Sequence, residues 1–434
     1  MKNFLPRGLT VNGAGHLCIG GLDTIELAEQ YGTPAYIMNE AEIRRNCRIY
    51  REAVRSCYGE DSMPMFASKA LSCKYIYRIL AEEGLGADLV SQGEMYTACA
   101  AGFPMERACF HGNNKTDDDL RFAIKAGVGN IVVDHFDELR TLSVLAVAAG
   151  VTQKILLRIT PGIDPHTHRA ISTGAVDSKF GTAIATGQAM EIVREAISLP
   201  GIELMGLHCH IGSQIFEVEP FYDAAGIMIE FIADIYRETG FIIRQLNLGG
   251  GFGVPYTADQ EAFDYAKAIA DIAAHVKDLS AQRGIPLPVV FLEPGRSIVA
   301  SAGITLYTVG SVKEIPGFKN YISVDGGMPD NPRYALYGSR YEMVNAGHAD
   351  ADKTYRCTVA GRCCESGDLL GEDIHIQPCR RGDILAVLVT GAYNYSMASN
   401  YNRIPRPPII MVKDQKAFPV VRRETYEDLI GCDL

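Results

Sequence analysis

From residue 64 to residue 294 the chain alternates a short apolar run with a longer stretch whose apolar residues recur at helical spacing. The runs are 64–67, 87–90, 108–111, 130–134, 155–159, 204–210, 245–248 and 289–292. Near-continuous apolar runs suit parallel strands buried on both faces. Segments such as 75–83 and 189–199 have the periodicity of crossover helices. Eight alternations over this length match a (β/α)8 TIM barrel. Most of the runs end in polar or glycine-rich chemistry: Ser68-Lys69, Ser91-Gln92, His111-Gly112, Arg158, His210 to Ser213, Gly249 to Gly253 and Glu293 to Arg296. Barrel active sites gather at the C-terminal ends of the strands, so these residues are expected to share one mouth.

After Arg296 the texture changes. Segments 303–315, 321–325, 355–361, 384–390 and 408–413 are β-rich and helical patterns become few, which predicts a second, mainly antiparallel β domain. Residues 8–27 and 34–38 precede the first barrel strand and are expected to pair with that domain. The expected division is a barrel over 46–295 and a discontinuous β domain over 1–45 and 296–434.

Bulk properties narrow the function classes. A formal charge of -11 disfavours nucleic acid or an anionic membrane as partner. No run of eighteen apolar residues predicts a membrane span, and the first residues do not resemble a signal peptide. Twelve cysteines at irregular spacing, several inside apolar stretches (Cys109, Cys209, Cys357), read as reduced thiols of a cytoplasmic protein.

Four motifs carry candidate chemistry. Lys69, in Phe66-Ala67-Ser68-Lys69-Ala70, stands at the end of the first barrel strand, where desolvation would free its amine for Schiff-base formation; a surface lysine opening a helix is the plainer alternative. Gly249-Gly250-Gly251-Phe252-Gly253 lets backbone N–H groups approach a phosphate, without the spacing of a dinucleotide fingerprint; tight-turn packing is the plainer reading. Glu293-Pro294-Gly295-Arg296 offers a carboxylate that can keep a pyridine nitrogen protonated and a guanidinium for phosphate or carboxylate. In His208-Cys209-His210-Ile211-Gly212-Ser213, two histidines share one strand face. No third ligand completes a zinc set, and an imidazole stacked on a flat cofactor, with Ser213 on its phosphate, accounts better for the pattern.

In order and spacing these motifs resemble those of the alanine-racemase-like, fold-type-III pyridoxal-phosphate decarboxylases, over nearly the whole chain. Within that group the C-terminal half is similar to the diaminopimelate decarboxylases. The stretches that carry this are Asp325-Gly326-Gly327-Met328, Arg333 to Gly338, Cys363-Cys364-Glu365-Ser366-Gly367-Asp368 and Ala392-Tyr393-Asn394-Tyr395-Ser396-Met397. Tyr334 departs from the proline usual in the family but leaves Arg333 and Tyr337 in register.

The resemblance implies pyridoxal 5'-phosphate joined to Lys69, with Asp88, Arg158, His210, Ser213, Gly249, Gly250, Gly251, Glu293, Pro294, Gly295, Arg296 and Tyr393 around it. It implies substrate contacts from Arg296, Arg333, Tyr337, Glu365 and Tyr393, catalytic roles for Lys69, His210 and Cys364, and no metal. An ordinary thiol, with a pKa of about 8.5, can donate a proton near neutrality, which suits Cys364 to reprotonation. The substrate chemistry agrees: diaminopimelate bears an amino-acid group at each end, so Arg333, with Tyr337, can clamp the remote carboxylate and Glu365 the remote ammonium. A homodimer in which Cys364 and Glu365 enter the neighbour's site is also implied. A decarboxylase of D-lysine, D-ornithine or a siderophore-type conjugate, a racemase, and a non-catalytic binding protein on the same scaffold are the competing readings.

Overall fold

The computed structural model describes residues 4–163 and 178–434. The chain divides into two compact units, one of Cys47–Gly253 and Phe263–Gly295, the other of Met1–Asn46, Val254–Ala262 and Arg296–Leu434.

In the first unit eight parallel strands follow one another around a closed barrel: Met63–Ala67, Gly86–Leu89, Ala108–Phe110, Asn130–Val133, Gln153–Thr160, Ile202–His208, Gln245–Asn247 and Val289–Leu292. Closure comes from Phe291 and Leu292 registering with Met63 and Pro64. Local chemistry sets the connecting helices. Lys74–Glu82 buries Ile76, Tyr77, Ile79 and Leu80, one apolar face at helical spacing. Thr116 and Asp119 form a capping box that opens Asp117–Ala126, and Gly127 in the left-handed region stops it. Ser91, expected at the mouth, serves as a helix cap: its hydroxyl accepts the Glu94 N–H at 3.2 Å.

Inside the barrel, Met65, Cys109, Val132, Leu156, Met205 and Phe291 form one buried apolar cluster. At Gly206 the neighbouring strand approaches so closely that a Cβ would lie 1.8 Å from the Gln245 carbonyl oxygen, so only glycine fits there. A buried ion pair ties the strand ends: Lys115 Nζ donates to Glu138 at 2.7 Å and to the carbonyls of Gly112 and Val132 at 2.8 and 2.7 Å. Those three bonds use all three ammonium protons.

The second unit is built on one mainly antiparallel sheet. Its strands run in the order Leu369–Ile376, Tyr355–Ala360, Lys319–Val324, Gly303–Ile315, Ala35–Asn39, Ile409–Lys413 and Lys416–Val421. Ile384–Leu388 also pairs with Gly303–Ile315 and carries Met343–Asn345. Ala35–Asn39 lies between Gly303–Ile315 and Ile409–Lys413, as expected of an N-terminal strand recruited by the C-terminal half. Residues 8–27 depart from expectation. They close on themselves as a small antiparallel sheet, Leu9–Val11, Leu17–Ile19 and Leu22–Asp23, followed by the helix Thr24–Tyr31. The reason is local: Asn12 Oδ1 accepts the N–H groups of Ala14 and His16, which folds the first turn back at once.

Cys109, Cys209 and Cys357 are buried free thiols. No helix among the described residues is long and apolar enough to cross a membrane.

Candidate active site

The barrel unit brings Glu293, Asp88, His210, Arg158, the glycine run and Lys69 to the C-terminal ends of its strands. Glu293 follows the strand Val289–Leu292 and is 7 % exposed. Its Oε1 accepts the Asn247 side-chain N–H at 2.7 Å and stands 2.9 Å from His111 Nε2; its Oε2 is 3.1 Å from His208 Nε2. Burial alone would raise this carboxyl, but His111 and His208 outweigh it and hold the group well below the usual carboxylate range. Asn247 and His208 each hydrogen-bond to one of its oxygens, which leaves acceptor capacity for a further donor.

His111 and His208 differ. Burial pulls His111 down, but Asp88 (3.6 Å) and Glu293 prevail and raise it. Burial pushes His208 down to about 4. These imidazoles and Glu293 have the mutual spacing of a metal-ligand set. One nitrogen of each ring lies within ion-pair distance of the carboxylate, so the three groups form a charge network.

His210 is half-buried, and its Nδ1 accepts the Gly250 N–H at 3.3 Å, which places the ring proton on Nε2. Burial, with Lys69 and Arg158 nearby, lowers its pKa far enough to keep the ring neutral. Arg158 lies over the Phe180 ring at 4.2 Å and 4.0 Å from Asp134.

Two sequence motifs are zipped together. Ile215 and Phe252 form a parallel bridge, with Ile215 N–H bonded to the Gly251 carbonyl and Gly253 N–H to that of Ile215. A Cβ on Gly250 would lie 2.0 Å from the Glu293 carbonyl oxygen, and one on Gly251 2.2 Å from that of Gly212. The run is therefore a stretch of bare backbone held by its neighbours. Ser213 is half-buried in the loop joined to it. Pro294 accepts the Ala67 N–H, and a Cβ on Gly295 would touch that of Ala67, which ties the Glu293 motif to the strand that ends at Lys69. The expected desolvation of Lys69 is not met. The turn Ser68–Ala70 buries Ser68 and Ala70 and leaves the lysine between them exposed.

The β unit holds the other candidates. Arg296, buried, donates to the Tyr256 hydroxyl at 2.9 Å and lies 4.6 Å from the Tyr393 ring centroid. Tyr393 sits in the left-handed region, at φ 62°. Arg333 is also buried, at 7 % exposure, with Tyr337 and Tyr393 rings 5.2 and 5.3 Å from its guanidinium carbon. Its Nε has no hydrogen-bond partner, and among the described residues no carboxylate pairs with it. Arg333 and Tyr337 share the short helix Arg333–Tyr337, while Tyr334 turns to Glu372 at 2.9 Å, so its departure from proline disturbs neither. Cys364 and Glu365 are exposed on a separate turn.

His111, expected at the mouth, is found beside Glu293. Asn247 and Tyr256 take part without having been singled out in the sequence; Asn247 ends a barrel strand, which was the one available signal.

Residues 40–300 match the family described as pyridoxal-dependent decarboxylase, pyridoxal binding domain. The chain is 46% identical to the diaminopimelate decarboxylase of Bacillus subtilis (strain 168), over 99% of this chain and 98% of that one. It is 41% identical to that of Staphylococcus aureus (strain COL), over 97% and 98%. Among solved structures, diaminopimelate decarboxylase from M. jannaschii in complex with L-lysine superposes with a TM-score of 0.92 at 35% identity, covering 99% of each chain. The chain belongs to the diaminopimelate decarboxylase family. Diaminopimelate decarboxylases of this family use pyridoxal phosphate, and the barrel residues fit it. Glu293 keeps an acceptor position for a ring N–H, Asp88 Oδ1 is buried without a hydrogen-bond partner, and the glycine run offers backbone that a side chain would block.

Proposed function

We infer that this protein removes carbon dioxide from meso-2,6-diaminopimelate to give L-lysine, the last step of lysine biosynthesis. Arg333 carries the substrate reading. A buried guanidinium without a carboxylate partner among the described residues is costly until an anion reaches it. A substrate with an amino-acid group at each end brings that anion at the end remote from the chemistry, with Tyr337 beside it. A diamine precursor such as ornithine brings only a cation. Glu365, exposed and 3.5 Å from the Tyr401 hydroxyl, takes the remote ammonium.

When bound, pyridoxal phosphate supplies an electron sink for the pair left behind by carbon dioxide. Lys69 holds its aldehyde. Gly249, Gly250, Gly251, Ser213 and Tyr393 hold its phosphate, and Arg296 serves phosphate or substrate carboxylate. Glu293, kept ionised by two histidines, stabilises the proton on the ring nitrogen. Asp88 supports that network through His111, Arg158 serves the phenolic oxygen, and neutral His210 offers its ring as a stacking surface. Cys364 donates the proton that the α-carbon needs, and its deprotonated thiolate is refilled from solvent.

We further propose a cytoplasmic homodimer in which Cys364 and Glu365 complete the neighbour's site. Adding meso-diaminopimelate to cofactor-loaded protein and following carbon dioxide and lysine tests the activity; no release of either defeats it. Mixing inactive Lys69→Ala and Cys364→Ala chains tests the sharing. Partial recovery is expected, and none after verified subunit exchange overturns it.

A further inference from the structure

The turn that carries Cys364 and Glu365 is exposed, but the residue that anchors it is not. Asp368 is 2 % exposed. Its Oδ2 accepts the Cys363 N–H at 2.7 Å and its Oδ1 the Met328 N–H at 2.6 Å. Its carbonyl accepts the Gly361 N–H at 2.9 Å, and its own N–H reaches the Glu365 carbonyl at 3.1 Å. Gly327 and Gly361 leave room for the carboxylate: a Cβ on either would stand 2.3 Å from one of its oxygens. One buried anion therefore pins two loops by their backbone.

A second anchor comes from a distant part of the chain. Asn402 Oδ1 accepts the Cys364 N–H at 3.0 Å. Asn402 and Arg403 both sit in the left-handed region, at φ 52° and 57°, a conformation that asparagine tolerates and that is uncommon for arginine. The two adjacent cysteines consequently differ. Cys363 is half-buried, its thiol pushed up to about 12 by burial and by Asp368, while Cys364 is exposed.

We propose that Asp368 and Asn402 are positioning residues that sort this vicinal pair, anchoring Cys363 and presenting the Cys364 thiol and the Glu365 carboxylate for use. Neither acts on the reacting atoms; both act through the backbone of the turn. The assignment rests on the reading of Cys364 as proton donor.

The test alkylates the holoenzyme with iodoacetamide and resolves the two thiols by peptide mass spectrometry, beside steady-state kinetics. The variants are Asp368→Asn, Asn402→Gly and Cys364→Ala; glycine at 402 keeps the left-handed backbone and removes only the acceptor. In substrate-free holoenzyme, wild type should label Cys364 at least about tenfold faster than Cys363, the expectation for a thiol presented to an open active site beside an anchored one. Asp368→Asn and Asn402→Gly should narrow that ratio, lower kcat by about ten- to a hundredfold, as misplacement by about 1 Å does, and raise KM as well, because Glu365 moves with the turn. Equal labelling in wild type overturns the proposal, and so do wild-type ratio and kcat in Asn402→Gly and in Asp368→Asn. If Asp368→Asn does not fold, the wild-type ratio and Asn402→Gly decide. Full activity of Cys364→Ala would instead remove the proton-donor reading, leaving the labelling ratios to judge the anchoring by themselves.

Discussion

Replacing Arg333 by methionine should separate function from stability in opposite directions. The guanidinium is 7 % exposed, bordered by two tyrosine rings and by Ser339 Oγ at 3.4 Å. A substrate carboxylate about 4 Å away, at an effective dielectric of about 20, gains about 4 kcal/mol from it. At about 1.4 kcal/mol per decade, that is roughly a thousandfold in kcat/KM for meso-diaminopimelate. The fold should not suffer, because the substitution removes a buried charge that has no carboxylate partner among the described residues and substitutes an apolar chain of similar length. Relief of desolvation, several kcal/mol, should at least match the about 1–4 kcal/mol of cation–π contact given up with the two rings. Carbon dioxide release across a substrate series, paired with thermal melts, measures both. A loss below about tenfold, or a Tm several degrees lower, would mean that Arg333 is a structural residue and the specificity argument is wrong.

Three further outcomes follow from the described contacts. Burial holds His208 at about 4 against an ordinary value of about 6.5, so the unfolded chain gains a proton first and stability falls as pH drops across that window, by at most about 3 kcal/mol. His208→Asn should flatten this slope in pH-dependent melts, and an unaltered slope would count against the assignment. Gly250→Ala drives a methyl against the Glu293 carbonyl and should cost about 1–3 kcal/mol or more while weakening pyridoxal phosphate binding, measured by Tm and absorbance titration; wild-type values in both would show that the cradle yields. Lys115→Met strands Glu138, whose side chain is 1% exposed, and should cost about 3–5 kcal/mol in denaturant unfolding. Adding Glu138→Leu should restore most of that loss, and a double variant no better than the single would refute the buried-charge account.

The barrel was legible because each strand is an apolar run with its helix beside it, and because parallel closure demands no residue the pattern fails to announce. The β domain was legible only as a texture: Met343–Asn345, Leu369–Ile376 and Lys416–Val421 lack the continuous apolar signature, being short or edge-like with polar residues facing out. Motif residues such as Glu293 and Arg333 could be named from their strings. Their partners could not. Tyr256 meets Arg296 from forty positions away and Asn402 meets Cys364 from 38; such pairings are set by tertiary closure, and no local spacing encodes them. Lys69 shows the reverse limit, since position at a strand end fixed where the amine stands without deciding its exposure.

The glycine run has a kinetic corollary. Its backbone is locked by the loop at Ile215 and by the Glu293 carbonyl, so an arriving phosphate meets a receptacle already in shape. Capture then forfeits little chain freedom, and loading should depend on how fast the cofactor diffuses in and sheds water, rather than on any slow rearrangement of the protein.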